Sequence, residues 1–280
     1  MSAEENDRAA WFKGPWAKCS VLPPFKERPW RLVLLGAPGV GKGTQAELIS
    51  RRLHGCHLST GDLFRAANNG CRAGTPAVAE ALRYMRQGEL VPDSIVWELA
   101  RERTGCIRCR GGFVLDGLPR TLAQAQALQE LLNKECISLD AVLDYELPRD
   151  QIIFRLGGRR ICEACKAVFH LTQCPPSVPD LCDQCGGRLI QREDDRPDSI
   201  ATRLDAYQHL TMPLIEFYRN LNLLLPVSAI GSPEEVFARS IAALETAITD
   251  GPLRSRDPRD AIAGLSDHRE NSPRNNDELL

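Results

Sequence analysis

The chain has 280 residues, of which 43% are hydrophobic and 26% are charged, the usual balance of a water-soluble protein with a core. Its 35 lysines and arginines nearly balance 37 aspartates and glutamates, and the net charge of −2 excludes strong electrostatic attraction to nucleic acid or an anionic membrane. No apolar run approaches the roughly 20 residues of a membrane-spanning helix, and the acidic start resembles neither a secretion nor a transit signal. We therefore predict a cytoplasmic protein with no membrane or nucleic-acid partner.

Short apolar runs alternate with helical stretches between residues 30 and 250. The predicted strands are 31–35, 56–58, 113–116, 141–147 and 224–230. The predicted helices are 43–53, 61–68, 76–86, 92–103, 121–133, 149–156, 198–219 and 233–247. This alternation predicts an α/β fold in which a parallel sheet of five strands is flanked by helices. Pro213 should kink the helix in which it lies.

Both ends lack this pattern. Residues 1–29 contain four prolines and no sustained periodicity, and residues 251–280 are polar with little apolar content. The C-terminal segment offers too little apolar surface to offset the entropy of ordering, so we predict a disordered tail. Trp11, Trp16 and Trp30 leave docking of the N-terminal arm on the core or on a partner as an alternative, but we predict a loosely packed, flexible extension.

A glycine-rich loop follows the first predicted strand. It reads Gly36-Ala-Pro-Gly39-Val40-Gly41-Lys42-Gly43-Thr44 and opens an amphipathic helix. Glycines let backbone N–H groups turn toward phosphate oxygens, the helix N-terminus favours an anion, and Lys42 can neutralise the outer phosphates. The loop therefore predicts a binding site for a nucleoside triphosphate, of the P-loop type. Gly43 departs from the general motif, which has Ser or Thr after the lysine.

A second apolar strand, 113–116, ends in an aspartate. Asp116 lies where a carboxylate that holds Mg²⁺, directly or through water, is found in P-loop proteins. Together with the phosphate loop, it predicts that Mg²⁺ is held beside the bound phosphates.

The cysteine count is high and odd, with eleven cysteines. In a chain without a secretion signal this argues against a disulfide framework. Two Cys-x-x-Cys pairs lie in the segment 158–191, and their spacing predicts a tetrahedral site for structural Zn²⁺. Iron or a disulfide pair remain alternatives. The zinc ligands would be Cys162, Cys165, Cys182 and Cys185. Cys174 and the pair Cys106/Cys109 are not predicted to be ligands.

Several motifs in matching order make the chain resemble adenylate kinases of the long-lid form. The resemblance rests on the phosphate loop, on Leu58-Ser-Thr60-Gly61-Asp62-Leu-Phe-Arg65, on Gly88-Glu89-Leu90-Val91-Pro-Asp93, on Asp116-Gly117-Leu118-Pro119-Arg120-Thr and on Gly158-Arg159-Arg160. It extends from about residue 31 to 247. The resemblance implies reversible transfer of the γ-phosphoryl of MgATP to AMP, giving two ADP, by a monomer. It also implies an AMP-binding insertion at 60–89 and a lid at 158–191, both closing over the substrates.

The resemblance also implies individual roles. The AMP-binding residues would be Thr60, Arg65, Glu89, Leu90, Val91, Gly117, Leu118, Pro119, Arg120, Gln124, Arg192 and Arg203. The ATP-binding residues would be Gly39, Val40, Gly41, Lys42, Gly43, Thr44, Arg155, Arg159, Val168 and Phe169. The catalytic residues would be Lys42, Asp116, Arg120, Arg159, Arg192 and Arg203. Such a set suits phosphoryl transfer, which needs positioning and charge neutralisation rather than a protein nucleophile.

Three positions depart from the family pattern. Leu118 replaces an aromatic residue, Gly157-Gly158 replaces a single glycine at the lid entrance, and Val168-Phe169 replaces a hydroxyl residue followed by Tyr. We expect the first change to be tolerated, the second to loosen the hinge and the third to remove a polar contact to ATP while keeping base stacking.

Other functions are less well supported by the sequence. GTP as donor or another monophosphate as acceptor fits the same motifs, although Gln124 and Thr60 favour AMP. A nucleic-acid-dependent NTPase would need a basic stripe with interleaved aromatic residues, and only 6% of this chain is aromatic. A scaffold without activity would not need Lys42, Asp116 and Arg120 together.

Overall fold

The computed structural model describes residues 29–61, 76–87, 89–102, 107 and 112–249. Its strands are β1 (Arg31–Gly36), β2 (Cys56–Ser59), β3 (Phe113–Asp116), β4 (Ala141–Glu146), β5 (Arg159–Cys162), β6 (Val168–His170), β7 (Leu189–Ile190) and β8 (Leu224–Ser228). Its helices are α1 (Lys42–Leu53), α2 (Pro76–Gln87), α3 (Asp93–Glu102), α4 (Leu122–Lys134), α5 (Arg149–Gly158), α6 (Pro197–Ala206), α7 (Pro213–Asn220) and α8 (Pro233–Thr249).

The main sheet has five parallel strands in the order β2-β3-β1-β4-β8. Successive side chains of a strand point to opposite faces, so the apolar run of β1 serves two cores. Leu32 and Leu34 pack in a cluster with α1, α6 and α8, while Val33 and Leu35 pack with α3, α4 and α7. The α/β fold with a five-stranded parallel sheet is confirmed.

The segment predicted as one kinked helix, 198–219, is divided into α6, a π-helical segment (Tyr207–Thr211) and α7. Pro213 is the first residue of α7 and has no N–H that could bond to the preceding turn. The N–H of Met212 donates to the carbonyl oxygen of Tyr207, five residues earlier, as in a π-helix. Thr211 is the buried residue of the π-helical segment, and its hydroxyl donates to the carbonyl oxygen of Arg120 at 2.8 Å. The break therefore joins this segment to the loop after β3.

The region 158–191 carries a separate antiparallel sheet, in the order β6-β5-β7. Its core is small and consists of Cys162, Phe169, Cys182 and Leu189. An apolar cluster of this size stabilises little by itself, because burial contributes only about 25 cal/mol per Å². A further source of stability is therefore expected in this sheet.

The two glycines at the end of α5 have different surroundings. A Cβ at Gly158 would overlap the ring of His170, whereas a Cβ at Gly157 would meet nothing within 4 Å. His170 is itself fixed, since its Nε2 lies 3.2 Å from the carbonyl of Phe154 and its Nδ1 accepts from the N–H of Gln173 at 3.1 Å. Close packing at Gly158 thus attaches the 158–191 region to α5.

We predict opposite effects for alanine at these neighbouring positions. Gly158→Ala should lower the free energy of unfolding by about 1–3 kcal/mol because His170 must move. Gly157→Ala, on the same helix, should change it by less than about 1 kcal/mol, in the stabilising direction. Chemical denaturation of both variants measures this, and equal stabilities would contradict the packing account.

Some predicted features fall outside the described residues. They include most of the predicted helix 61–68, Arg65, both ends of the chain and the pair Cys106/Cys109. Within the described part, no helix is both long and apolar enough to cross a membrane.

Candidate active site

The phosphate loop lies between β1 and α1 and is held by close backbone contacts. Gly36 and Gly39 have φ of 128° and 86°, a region that L side chains rarely adopt. A Cβ would lie 2.6 Å from the carbonyl oxygen of Tyr145 at the first and 2.7 Å from the side chain of Leu156 at the second. The loop therefore needs glycine at both positions.

The ammonium of Lys42 lies inside this loop. Its Nζ donates to the carbonyl oxygens of Gly36 at 2.6 Å and Ala37 at 2.9 Å. Burial lowers the pKa of Lys42 to about 8, with the Asp116 carboxylate acting in the opposite direction and Arg120 and Arg203 adding repulsion. A positive charge is thus held where folding disfavours it, which is typical of a group that awaits an anion.

Asp116 ends β3 beside the phosphate loop. Its Oδ2 lies 3.6 Å from Nε2 of the buried His57, and a Cβ at Gly43 would lie 3.6 Å from the same oxygen. The missing side chain at Gly43, which departs from the general motif, thus leaves space against this carboxylate. A cation bridging phosphate and carboxylate oxygens is chemically compatible with such space.

A cleft opens beside the carboxyl ends of β2 and β3. Its lining combines apolar side chains with polar groups from both strand ends: Thr60, Gly61, Met85, Leu90, Val91, Val96, Gly117, Arg120 and Gln124. Apolar walls with few fixed polar groups are typical of a small-molecule site, and the ends of parallel strands are where such sites form.

Arg120 and Thr60 are organised around the carbonyl oxygen of Gly117. This oxygen accepts from the hydroxyl of Thr60 at 3.0 Å and from Nε of Arg120 at 2.9 Å. A Cβ at Gly117 would lie within 3 Å of both side chains, at a φ of 83°. Glycine there lets a hydroxyl and a guanidinium approach the same backbone atom and line the cleft together.

The side chain of Gln124 is buried, with 2% of its surface exposed. Its Oε1 accepts from the backbone N–H of Arg120 at 2.8 Å, and its Nε2 donates to Oδ1 of Asp93 at 2.6 Å. Asp93 was not predicted as a site residue. It ends the Gly88–Asp93 motif, but it also follows a proline and begins α3, where an acidic residue is common for reasons unrelated to function.

Two of the predicted catalytic arginines, Arg159 of the lid and Arg203 of α6, share one buried carboxylate. Asp195 is fully buried and accepts from Nε and Nη2 of Arg159 at 2.7 and 2.6 Å, and from Arg203 at 3.0 Å. The pKa of Arg203 is lowered by burial, while Asp194 at 3.2 Å acts against that change. Asp195 thus aligns two guanidinium groups, a role that its sequence position did not reveal.

The other predicted donor-site residues lie in different surroundings. Arg155 donates to the carbonyl oxygens of Val40 at 3.3 Å and Ala229 at 3.0 Å, and so ties the phosphate loop to the end of β8. Val168 is 53% exposed, whereas Phe169 is 6% exposed and packs with Cys162 and Cys182. The side chain of Val168, but not the ring of Phe169, therefore faces outward.

Four cysteine sulfurs meet at the tips of the small sheet. Those of Cys162, Cys165, Cys182 and Cys185 all lie within 4.8 Å of one another. The Cys162–Cys185 and Cys165–Cys182 separations are each 3.5 Å, too long for the roughly 2.0 Å of a disulfide and near the about 3.8 Å between thiolates around a tetrahedral zinc ion. The donor set and its geometry therefore fit structural zinc.

Comparison with known proteins agrees with this site. A sequence model described as adenylate kinase matches residues 34–223. The chain is 45% identical over 216 residues to an adenylate kinase of Streptomyces griseus, covering 77% of this chain and 97% of the relative. The chain belongs to the adenylate kinase family. It is also 50% identical over 194 residues to an adenylate kinase of Moorella thermoacetica, which spans 69% of this chain and 88% of that relative.

Membership of the adenylate kinase family explains the order of the motifs along the chain. The matched region extends from the second half of β1 to the end of α7, and it includes the phosphate loop, the cleft and the four-cysteine sheet. The family catalyses phosphoryl transfer between ATP and AMP, which gives two ADP, so the chain is a nucleoside monophosphate kinase by descent.

Proposed function

We propose that this chain catalyses reversible transfer of the γ-phosphoryl of MgATP to AMP. The bond between the γ-phosphorus and its bridging oxygen to the β-phosphate breaks, and a bond to an AMP phosphate oxygen forms, leaving two ADP. The observation that carries the proposal is the placement of two sites at one edge of the sheet. Lys42 occupies the phosphate loop, and the Arg120 and Gln124 cleft opens beside the next strands.

The donor would bind in the phosphate loop. The backbone of Gly39–Thr44 would hold the phosphates. The ammonium of Lys42 would then donate to phosphate oxygens instead of to the two carbonyl oxygens that it contacts now. Asp116 would bind Mg²⁺, which neutralises charge on the phosphates. Arg155, Arg159 and the exposed Val168 would cover the nucleotide from the other side.

The acceptor would bind in the cleft. Thr60 and Gln124 would contact the base, and the segment 89–91 would flank the base and ribose. Arg120, Arg65, Arg192 and Arg203 would hold the phosphate, because planar guanidinium groups match phosphate oxygens. Gly117, Leu118 and Pro119 would form one wall of the acceptor cleft.

Closure of the 158–191 region over both nucleotides would exclude water and prevent simple hydrolysis. We propose that its four cysteines bind one structural zinc ion, which supplies stability that the small core lacks. A monomeric state and a cytoplasmic location are further proposals that follow from the family and the sequence.

The test is product analysis by chromatography after incubation of purified protein with MgATP and each of AMP, CMP, UMP and GMP. We expect ADP from AMP and little transfer to the other three. Transfer to a different monophosphate would retain the mechanism but refute Gln124 as the adenine reader. No transfer at all from folded, zinc-loaded protein would refute the proposed activity.

A further inference from the structure

The amide of Gln124 is held from two sides by groups of fixed polarity. The backbone N–H of Arg120 can only donate, so the atom 2.8 Å from it must be the amide oxygen. The Asp93 carboxylate accepts, so the atom 2.6 Å from its Oδ1 must be the amide nitrogen. The partners therefore assign one orientation to the amide.

Asp93 cannot easily turn away from Gln124. Its second oxygen, Oδ2, accepts from the hydroxyl of Thr121 at 3.1 Å. That hydroxyl also accepts from the backbone N–H of Gln124 at 3.2 Å and so caps α4. Both carboxylate oxygens are thus used, and the start of α3 is fixed to the start of α4.

Among the described residues, these two bonds leave one hydrogen-bond donor and one acceptor of the amide available. Oε1 keeps a second lone pair and Nε2 keeps a second hydrogen, at the edge of a cleft that Gln124 lines. Adenine presents an amino hydrogen at position 6 and a lone pair on N1, which match this pair. Hypoxanthine and guanine present a carbonyl oxygen at position 6 and a hydrogen on N1, which is the reverse pattern.

We propose that Asp93 is a specificity-determining positioning residue, which fixes Gln124 in the orientation that accepts AMP and rejects monophosphates of 6-oxopurines. To accept the reverse pattern, the amide must rotate by half a turn. Its oxygen would then face the Asp93 carboxylate and its NH₂ group would face the Arg120 N–H, leaving buried groups opposed. Sites that leave polar groups unpaired commonly reject a substrate by a hundredfold or more, roughly. The proposal rests on the proposed function, since it assumes that the acceptor base binds at this cleft.

The sharpest probe is IMP, whose base differs from that of AMP only in the group at position 6 and the hydrogen on N1. The measured quantity is the ratio of kcat/KM for AMP to that for IMP. We expect this ratio to fall about tenfold in Asp93→Asn, whose amide can also donate, and further in Asp93→Ala. The control is Asp150→Asn, which removes an exposed carboxylate from the first turn of α5 and should leave the ratio unchanged.

The ratio separates specificity from a general structural effect. A variant that merely loosens the cleft loses kcat/KM for AMP and IMP by the same factor, so that the ratio stays constant. A ratio within about twofold of wild type in Asp93→Asn would overturn the proposal, as would a wild-type protein that uses IMP as well as AMP. If Asp93→Ala does not fold, the Asn variant decides. A wild-type protein that converts neither nucleotide would instead refute the proposed function.

Discussion

Replacing Lys42 by methionine is expected to lower turnover at least about a thousandfold while the fold persists. Methionine retains most of the length and apolar character of the side chain, but it removes the only charge that the phosphate loop itself carries. Phosphoryl transfer depends on neutralising charge that develops between donor and acceptor, and Lys42 is the group within the loop that can do so. Rates should be measured at saturating MgATP and AMP.

The same substitution is expected to stabilise the protein without nucleotide. The folded-state pKa of Lys42 is about 8, below its ordinary 10.5, so folding disfavours the charged form. Between these two values the unfolded chain binds more protons, and wild-type stability rises with pH through that window. The methionine variant lacks this dependence. At pH 7 the free energy of unfolding of the variant should exceed that of the wild type by about 2 kcal/mol, a value that allows for solvent near the loop. This difference should shrink toward pH 10.

Denaturant unfolding of both proteins at pH 7 and pH 10 tests this result. Lys134→Met, which removes an exposed lysine from the last turn of α4, is the matched control and should change neither turnover nor the pH dependence. Near-normal turnover in Lys42→Met would refute the assigned role. A stability difference that does not depend on pH would show that the Lys42 charge is not destabilised by folding.

The sheet and the phosphate loop could be predicted because their signals are local. The run of β1 is apolar on both faces, as a central parallel strand requires, and the glycines after it have few alternative explanations. The strand predicted over 141–147 matches β4 to within one residue for the same reason. Local patterns were therefore enough to place the strands of the sheet and the loop that follows β1.

The partners of the site residues could not be predicted in this way. Gln124 contacts Asp93 across 31 residues of sequence, and Arg159 contacts Asp195 across 36. Both aspartates stand near helix starts, where acidic residues are common for reasons unrelated to function. Only tertiary packing distinguishes a carboxylate that orients a functional side chain from one that stabilises a helix end.

The break in the helix before α7 is a second feature that the sequence predicted only in part. Pro213 predicted a kink, but the sequence did not indicate that the missing hydrogen bond would be absorbed by a π-helical segment. Thr211 lies in that segment, and its hydroxyl donates to the carbonyl oxygen of Arg120. This contact joins residues that are 91 positions apart in the sequence, so no local pattern could indicate it.

The second large effect is expected from loss of zinc. Replacing Cys162 by serine should reduce bound metal from one zinc per chain to well below one, because a hydroxyl is a poor substitute for a thiolate. Cys162 and Cys182 belong both to the four-cysteine cluster and to the four-residue core of the small sheet. Metal loss therefore removes the support of β5, β6 and β7 together, and turnover should fall about a hundredfold or more because Arg159 is carried by β5.

The damage should remain local, and this distinguishes it from general unfolding. Amide hydrogen exchange should accelerate in residues 159–190. It should stay slow in β1 and β4, because these strands are buried in the two apolar clusters of the main sheet. Cys174→Ser is the matched control, since Cys174 is an exposed cysteine of the same region outside the sulfur cluster, and it should keep both zinc and activity. Full zinc content in Cys162→Ser would refute the four-cysteine site. Zinc loss with unchanged turnover would show that the small sheet folds without metal, and that its core is more stable than four buried side chains suggest.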